Sequence, residues 1–130
     1  MDDAIREAVE QDPRITYALV FGSQARQTGH AHSDLDLAVG LIPGCRLSAR
    51  EVGALTATLE SAAGRTVDLV LLDEAPPGLA YRIVRDGRVI SARDRGALAA
   101  RRARAILEYL DFEPTEALLT RGVLAGRHGR

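Results

Sequence analysis

The sequence predicts a single α/β (α+β) domain with a small mixed sheet flanked by helices. Three observations carry this expectation. The length of 130 residues suits one domain. Short β-rich apolar runs alternate with segments of helical periodicity. The composition, 46% apolar and 27% charged, is that of an ordinary globular chain.

The elements follow in order. A first helix is expected over about Asp3 to Gln11, where Ile5, Ala8 and Val9 share one face. Asp2 or Asp3 can cap its start, and Asp12-Pro13 ends it. Ile15 to Phe21 reads as a buried strand, broken at Gly22-Ser23. Ser23 to Gln27 suits a short helical turn, and His30 to Ser33 a polar loop. From Asp34 to Leu41 the pattern alternates: Leu35, Leu37, Val39 and Leu41 take one face, and Asp34, Asp36, Ala38 and Gly40 the other. After a Pro43-Gly44 turn, Ser48-Ala-Arg-Glu51 has the form of a capping box. The helix it opens buries Val52, Leu55, Leu59 and Ala62 and ends at Gly64.

Val67 to Leu72 is expected to be a third strand, apolar apart from Asp68. Pro76-Pro77-Gly78 opens a short helix to about Arg85, and Arg88 to Ser91 reads as an edge strand. Asp94 can cap a last long helix reaching Tyr109 or Leu110, with a break at Pro114 and a further helix over Thr115 to Leu124. The tail from Gly126 to Arg130 is expected to fray. Residues 1–93 form the expected core, and 94–130 a helical extension packed on it.

Composition excludes several classes of function. The net charge of −1 gives no global basic field, and 3 Tyr and 2 Phe leave no basic patch interleaved with aromatics. Both argue against direct nucleic-acid binding. All 17 basic residues are Arg, so neither a Lys nucleophile nor a P-loop lysine exists. The single Cys45 cannot form an internal disulfide, and its surroundings offer nothing to activate it. The acidic N-terminus is unlike a secretory signal, and no apolar run is long enough to span a bilayer. A cytoplasmic protein is expected.

The residues able to carry chemistry are few. Asp34 and Asp36 lie two apart on a strand, so they point the same way, roughly 7 Å apart. Such a pair raises its own pKa values unless a positive charge sits between them. An oxygen-only ligand set suits Mg²⁺ or Mn²⁺ rather than Zn²⁺. Taken alone, Asp-x-Asp is better read as a solvated strand end, with Asp34 serving as a loop cap. Asp68 shifts the balance, because a carboxylate in Val-Asp-Leu-Val-Leu-Leu is costly unless it is paired or bound to metal. The rival partner for Asp68 is an arginine, Arg26 or Arg65. Gly22-Ser23 ends a buried strand, where backbone N–H groups and a hydroxyl can receive a phosphate. The chain contains no Walker A and no Gly-x-Gly-x-x-Gly motif.

In combination these residues say more. Gly22-Ser23, ten intervening residues, Asp34-Leu35-Asp36, and then Asp68 in an apolar strand resemble the signature of the nucleotidyltransferase superfamily with the DNA polymerase β fold. The fuller run, Gly22-Ser-Gln-Ala-Arg26 through Ser33-Asp-Leu-Asp-Leu37, resembles the minimal nucleotidyltransferases, which include MntA-type antitoxins of HEPN-domain toxins. The resemblance spans about Ile5 to Ala92. Tyr81-Arg-Ile-Val-Arg-Asp-Gly87 and Tyr109-Leu-Asp-Phe112 also look like that subgroup. Gln27 departs from the pattern, which usually has Gly there.

The resemblance implies a polymerase β-like fold and two Mg²⁺ ions, with Mn²⁺ as an alternative, on Asp34, Asp36 and Asp68. It implies that Gly22 and Ser23 hold the β- and γ-phosphates of a nucleoside triphosphate, by analogy ATP. Arg26 would touch the triphosphate or, the preferred role, brace the carboxylates. The implied reaction moves AMP to a hydroxyl, a tyrosine of a cognate HEPN toxin, making the chain an antitoxin. Two alternatives stand beside it: an aminoglycoside-type nucleotidyltransferase, and an idle antitoxin that neutralises by binding alone. His30 and His32 are expected to be loop residues. Arg82, Arg85 and Arg88, on or beside the short helix, could meet an acidic partner or the nucleotide, but a solvated face is the preferred reading; the Arg101-Arg-Ala-Arg104 cluster is likewise expected to be helix surface.

Overall fold

The computed structural model describes the backbone of residues 2–22 and 34–124, with side chains over 3–22 and 34–111. The expected turn at Ser23 to Gln27, the loop at His30 to Ser33 and the tail from Gly126 to Arg130 lie outside the described residues.

Helix α1 (Asp2–Glu10) is followed by strands β1 (Ile15–Phe21) and β2 (Leu35–Leu41). Next come α2 (Ala49–Ala63), β3 (Val67–Leu71), a 3₁₀ turn at Leu72–Glu74, α3 (Pro77–Asp86), β4 (Arg88–Ala92) and α4 (Arg95–Leu124). The strands form one mixed sheet in the order β3-β2-β1-β4. β1 is antiparallel to both β2 and β4, and β2 is parallel to β3.

The expected local signals act as their chemistry dictates. Ser48 accepts from the Glu51 N–H at 3.1 Å, and Glu51 accepts from the Ser48 N–H at 2.8 Å, closing the capping box of α2. Gly64 ends that helix in the left-handed region at φ 71°. Asp94 accepts from the Ala97 N–H at 3.0 Å and so caps α4. Arg14 grips Asp12 through two hydrogen bonds at 2.9 and 2.7 Å at the turn into β1, which holds the Asp12 carboxyl below its usual range.

Two layers cover the sheet. On one face, Ile5 and Val9 of α1 and Leu55 and Leu59 of α2 pack on Val20, Leu35, Leu37, Val39 and Val67. On the other, Ala80 and Ile83 of α3 and Leu98 and Ala105 of α4 pack on Tyr17, Leu19, Ala38 and Leu72. β1 lies between β2 and β4 with helices on both sides, which explains its unbroken apolar run. Tyr81 on α3 and Tyr109 on α4 stack at 4.1 Å between ring centres and fasten the two helices together.

Two expectations are corrected here. The chain stays helical through Pro114, where a break was expected. Proline forfeits one backbone bond, to the Leu110 carbonyl, at a cost of about 3 kcal/mol. Good helix formers on either side (Glu113, Glu116, Ala117, Leu118) keep the neighbouring bonds. Arg101 was expected on the surface, yet its side chain is 4% exposed. It donates to the Leu72 carbonyl at 3.0 Å and pairs with Asp73 at 3.0 Å, pinning the 3₁₀ turn after β3. The signal was present in the spacing: Leu98, Arg101 and Ala105 follow i, i+3, i+7 along the buried stripe.

Tyr17 is buried with its ring laid across Gly40, so close that a Cβ at position 40 would overlap the ring. Burial is the main cause that pushes its phenol up to about 12, with Asp73 adding to it. Gly40→Ala should therefore force Tyr17 out of place. A loss of about 1–3 kcal/mol is expected, read as a lower Tm in thermal unfolding. An unchanged Tm would show that the ring yields freely.

Candidate active site

The site is built at one end of the sheet. β1 runs out at Phe21, whose partner on β2 is Asp36. On the other side of β2, Asp36 faces Asp68 of β3, in register. Asp34 sits just before β2, two residues up the chain and exposed. The fold thus brings Gly22, Asp34, Asp36 and Asp68 to one sheet end. Ser23 and Arg26 lie outside the described residues, so their place in the site is not described.

The register follows from packing. Leu35, Leu37 and Val39 must face α1 and α2, and their β3 partners are Val67, Leu69 and Leu71. Period-two geometry then directs Asp36 and Asp68 together to the opposite face, on the side of α3 and α4. Gly22 adopts φ 72°, a left-handed conformation suited to glycine. A Cβ there would overlap an oxygen of the Asp36 carboxylate. Glycine at 22 is therefore needed twice, for the turn and for the close approach of the acid.

Asp36 is half-buried, and its carboxyl is pushed above the usual carboxylate range. Loss of water is the main cause, followed by the charges of Asp68 and Asp34 and a hydrogen bond with Asp68. A shared hydrogen bond between two carboxyls needs a proton on one of them. Such a cluster is poised for a cation that replaces the proton.

One premise of the sequence reading is corrected. Asp68 is exposed rather than buried in an apolar strand. β3 is an edge strand, so its open side spares the carboxylate the cost of burial. What gathers the acids is strand register, not a need to neutralise a buried charge.

Among the described residues, no three acids converge tightly enough to form a ready-made metal cage. The donor chemistry still fits Mg²⁺, which commonly takes one or two carboxylates and completes its shell with water and substrate phosphates.

Against the site lies a small cleft of roughly 190 Å³, lined by Phe21, Gly22, Leu79, Arg82 and Asp86. Leu79, Arg82 and Asp86 follow i, i+3, i+7 on α3, beside the core stripe of Ala80 and Ile83. Arg82 was read from sequence as solvated surface. It is exposed, but it forms a wall of this cleft. Arg85 instead donates to Asp86 at 2.9 and 2.8 Å and lies over the Tyr81 ring at 5.5 Å.

Comparison with known proteins identifies the family and the fold. The family described as polymerase beta, nucleotidyltransferase matches residues 3–96. The chain belongs to this nucleotidyltransferase family. No curated protein matches the sequence. Solved structures of similar fold include a chain of a toxin–antitoxin complex with AMP-PNP, 23% identical at a TM-score of 0.81, covering 95% of this chain and 98% of that one. A chain of the MntA–HepT toxin–antitoxin is 21% identical at a TM-score of 0.75, covering 95% and 96%. A third is a chain of the complex of a tri-AMPylated Shewanella oneidensis HEPN toxin with its MNT antitoxin, 20% identical at 0.73, covering 95% and 99%. The chain therefore has the polymerase β-type fold, as expected. No helix among the described residues is long and apolar enough to cross a membrane.

The raised Asp36 carboxyl has a measurable consequence. The folded protein holds this proton more tightly than the unfolded chain does. Stability is therefore greatest below the ordinary carboxylate pKa and falls as pH rises through the raised value. Asp36→Asn removes that loss. In chelator at pH 7 the variant should melt a few degrees above the wild type, with the gap closing near pH 4. Equal melting at pH 7 would show that the acids do not strain the fold.

Proposed function

We propose that this chain is a Mg²⁺-dependent nucleotidyltransferase that moves AMP from ATP onto a hydroxyl, a tyrosine of a HEPN-domain toxin, and so acts as an antitoxin. The observation that carries the reading is the in-register pair Asp36–Asp68 beside Gly22, in a chain of the nucleotidyltransferase family. The toxin partner and the adenylate donor rest on solved complexes of the same fold, one with AMP-PNP and one holding a tri-AMPylated HEPN toxin.

In this reading Asp34, Asp36 and Asp68 would hold the metal, with Asp68 on the acceptor side. Bound Mg²⁺ supplies charge to the phosphates and acidifies the acceptor hydroxyl. Gly22 and Ser23 receive the β- and γ-phosphates on backbone N–H groups and a hydroxyl. The exposed Asp68 takes the proton of the acceptor. Arg26 braces the carboxylates. The acceptor oxygen bonds to the α-phosphorus, the bond from the α-phosphorus to the α,β-bridging oxygen breaks, and that oxygen leaves with its electron pair as part of pyrophosphate.

The test uses ATP labelled in the α-phosphate, Mg²⁺ and a co-expressed HEPN-domain candidate partner. Label should pass to the partner. The Asp34→Ala/Asp36→Ala double variant should lower transfer at least about 100-fold, since metal stabilisation is worth several kcal/mol. Asp68→Asn should lower kcat with little change in the KM for ATP. If wild type and double variant both bind the partner and neither transfers label, neutralisation by binding replaces the catalytic reading.

A further inference from the structure

We infer that Arg82 is the cation that grips the terminal phosphates of the donor nucleotide and neutralises the pyrophosphate as it leaves. The inference rests on the function proposed above and extends its site to a second wall.

Charge makes the first argument. Asp34, Asp36 and Asp68 gather at one sheet end, and a nucleoside triphosphate adds further negative charge beside them. Metal held by the acids serves the reacting phosphate. The far phosphates need a positive group on the other side of Gly22. The chain contains no lysine, so a permanently charged side chain there must be an arginine.

Geometry makes the second. Gly22 touches the Asp36 carboxylate on one side and lines the cleft with Arg82 on the other. A phosphate chain leaving the acids past Gly22 enters this cleft. At roughly 190 Å³ the cleft is smaller than the about 300–1,000 Å³ of a whole small-molecule site, so it suits phosphate groups rather than a complete nucleotide.

Availability makes the third. Arg82 has no ion pair or hydrogen bond among the described residues. Arg85, one turn from it on the same helix, is committed to Asp86 and Tyr81. Asp86 also lines the cleft, and the Arg85 fork on its carboxylate offsets its repulsion of an anion. The Arg82 guanidinium is thus free to present its planar fork to two phosphate oxygens. As the bond between the α-phosphorus and the bridging oxygen breaks, its electron pair stays with pyrophosphate. Arg82 meets the charge that develops there.

Calorimetric titration with Mg·ATP, pyrophosphate and AMP tests this on the wild type and on Arg82→Ala, Arg82→Lys and Arg85→Ala. Arg82→Ala should weaken ATP and pyrophosphate by about 10–100-fold. AMP should change less than about twofold, because it lacks the phosphates concerned. Arg82→Lys should recover part of the loss, and Arg85→Ala, which uncovers the Asp86 carboxylate, should weaken ATP less than Arg82→Ala does. Thermal unfolding checks that each variant is folded. Equal ATP affinity in Arg82→Ala and wild type overturns the inference and leaves the proposed function standing, as does an equal loss for ATP and AMP. A wild type that binds no nucleoside triphosphate overturns both.

Discussion

The parallel pairing of β2 with β3 is the constraint on which the rest depends. It places Leu35, Leu37 and Val39 beside Val67, Leu69 and Leu71 and, by the same register, Asp36 beside Asp68. The second consequence is unfavourable by itself. Two carboxylates at about 4 Å repel by about 1 kcal/mol in water and about 4 kcal/mol at a protein surface. Each buried Leu or Val returns about 1.5–3 kcal/mol, and several act together on the apolar face. A slip by one residue would relieve the repulsion only by exposing that whole face. Hydrophobic burial therefore wins and holds the acids together.

The opposite layer of helices sets the second half of the site. Gly40 lets Tyr17 lie flat across β2, which closes the core beneath α4. From α4, Arg101 reaches the Leu72 carbonyl and Asp73, fixing the turn by which β3 gives way to α3. The Tyr81–Tyr109 stack then sets α3 against α4. The position of α3 decides what faces Gly22, and Leu79 and Arg82 do so because Ala80 and Ile83 are claimed by the core.

Most of this was legible where one interaction dominates. The β1 run, the Ser48–Glu51 box, the Gly64 stop and the Asp94 cap are local, and each formed as its residues require. The convergence of Asp34, Asp36 and Asp68 on one sheet end was also legible, though the argument for Asp68 leaned on burial when the cause is register. Pairing partners are far apart in sequence, and an edge strand exposes positions that an apolar run suggests are buried. Arg101 was missed because charge was given more weight than its place on the Leu98–Ala105 stripe. Pro114 was read as a stop because its cost is visible locally, whereas the hydrogen bonds on either side are a property of the whole helix. Arg82 was ranked as solvated surface ahead of a nucleotide contact because only the packing of α3 on β1 shows that its face meets Gly22.

The two sides of the acid cluster differ in a way that bears on the acceptor. On the β1 side stand Gly22, Phe21 and α3, which make a walled cleft. On the β3 side the sheet ends, and Asp68 is exposed at the edge. In the proposed reaction the donor nucleotide would lie against this cleft, whereas an acceptor approaching Asp68 would meet little of the described protein. A small molecule would have to be bound by walls that the described part of the fold does not build there. A hydroxyl carried on another protein arrives with its own surface, and the contacts that orient it can lie well away from the reacting atoms. That asymmetry favours a macromolecular acceptor over an aminoglycoside-sized one. In the proposed reaction, contacts between the two proteins would then select the acceptor, and the sheet end would supply the charge and register.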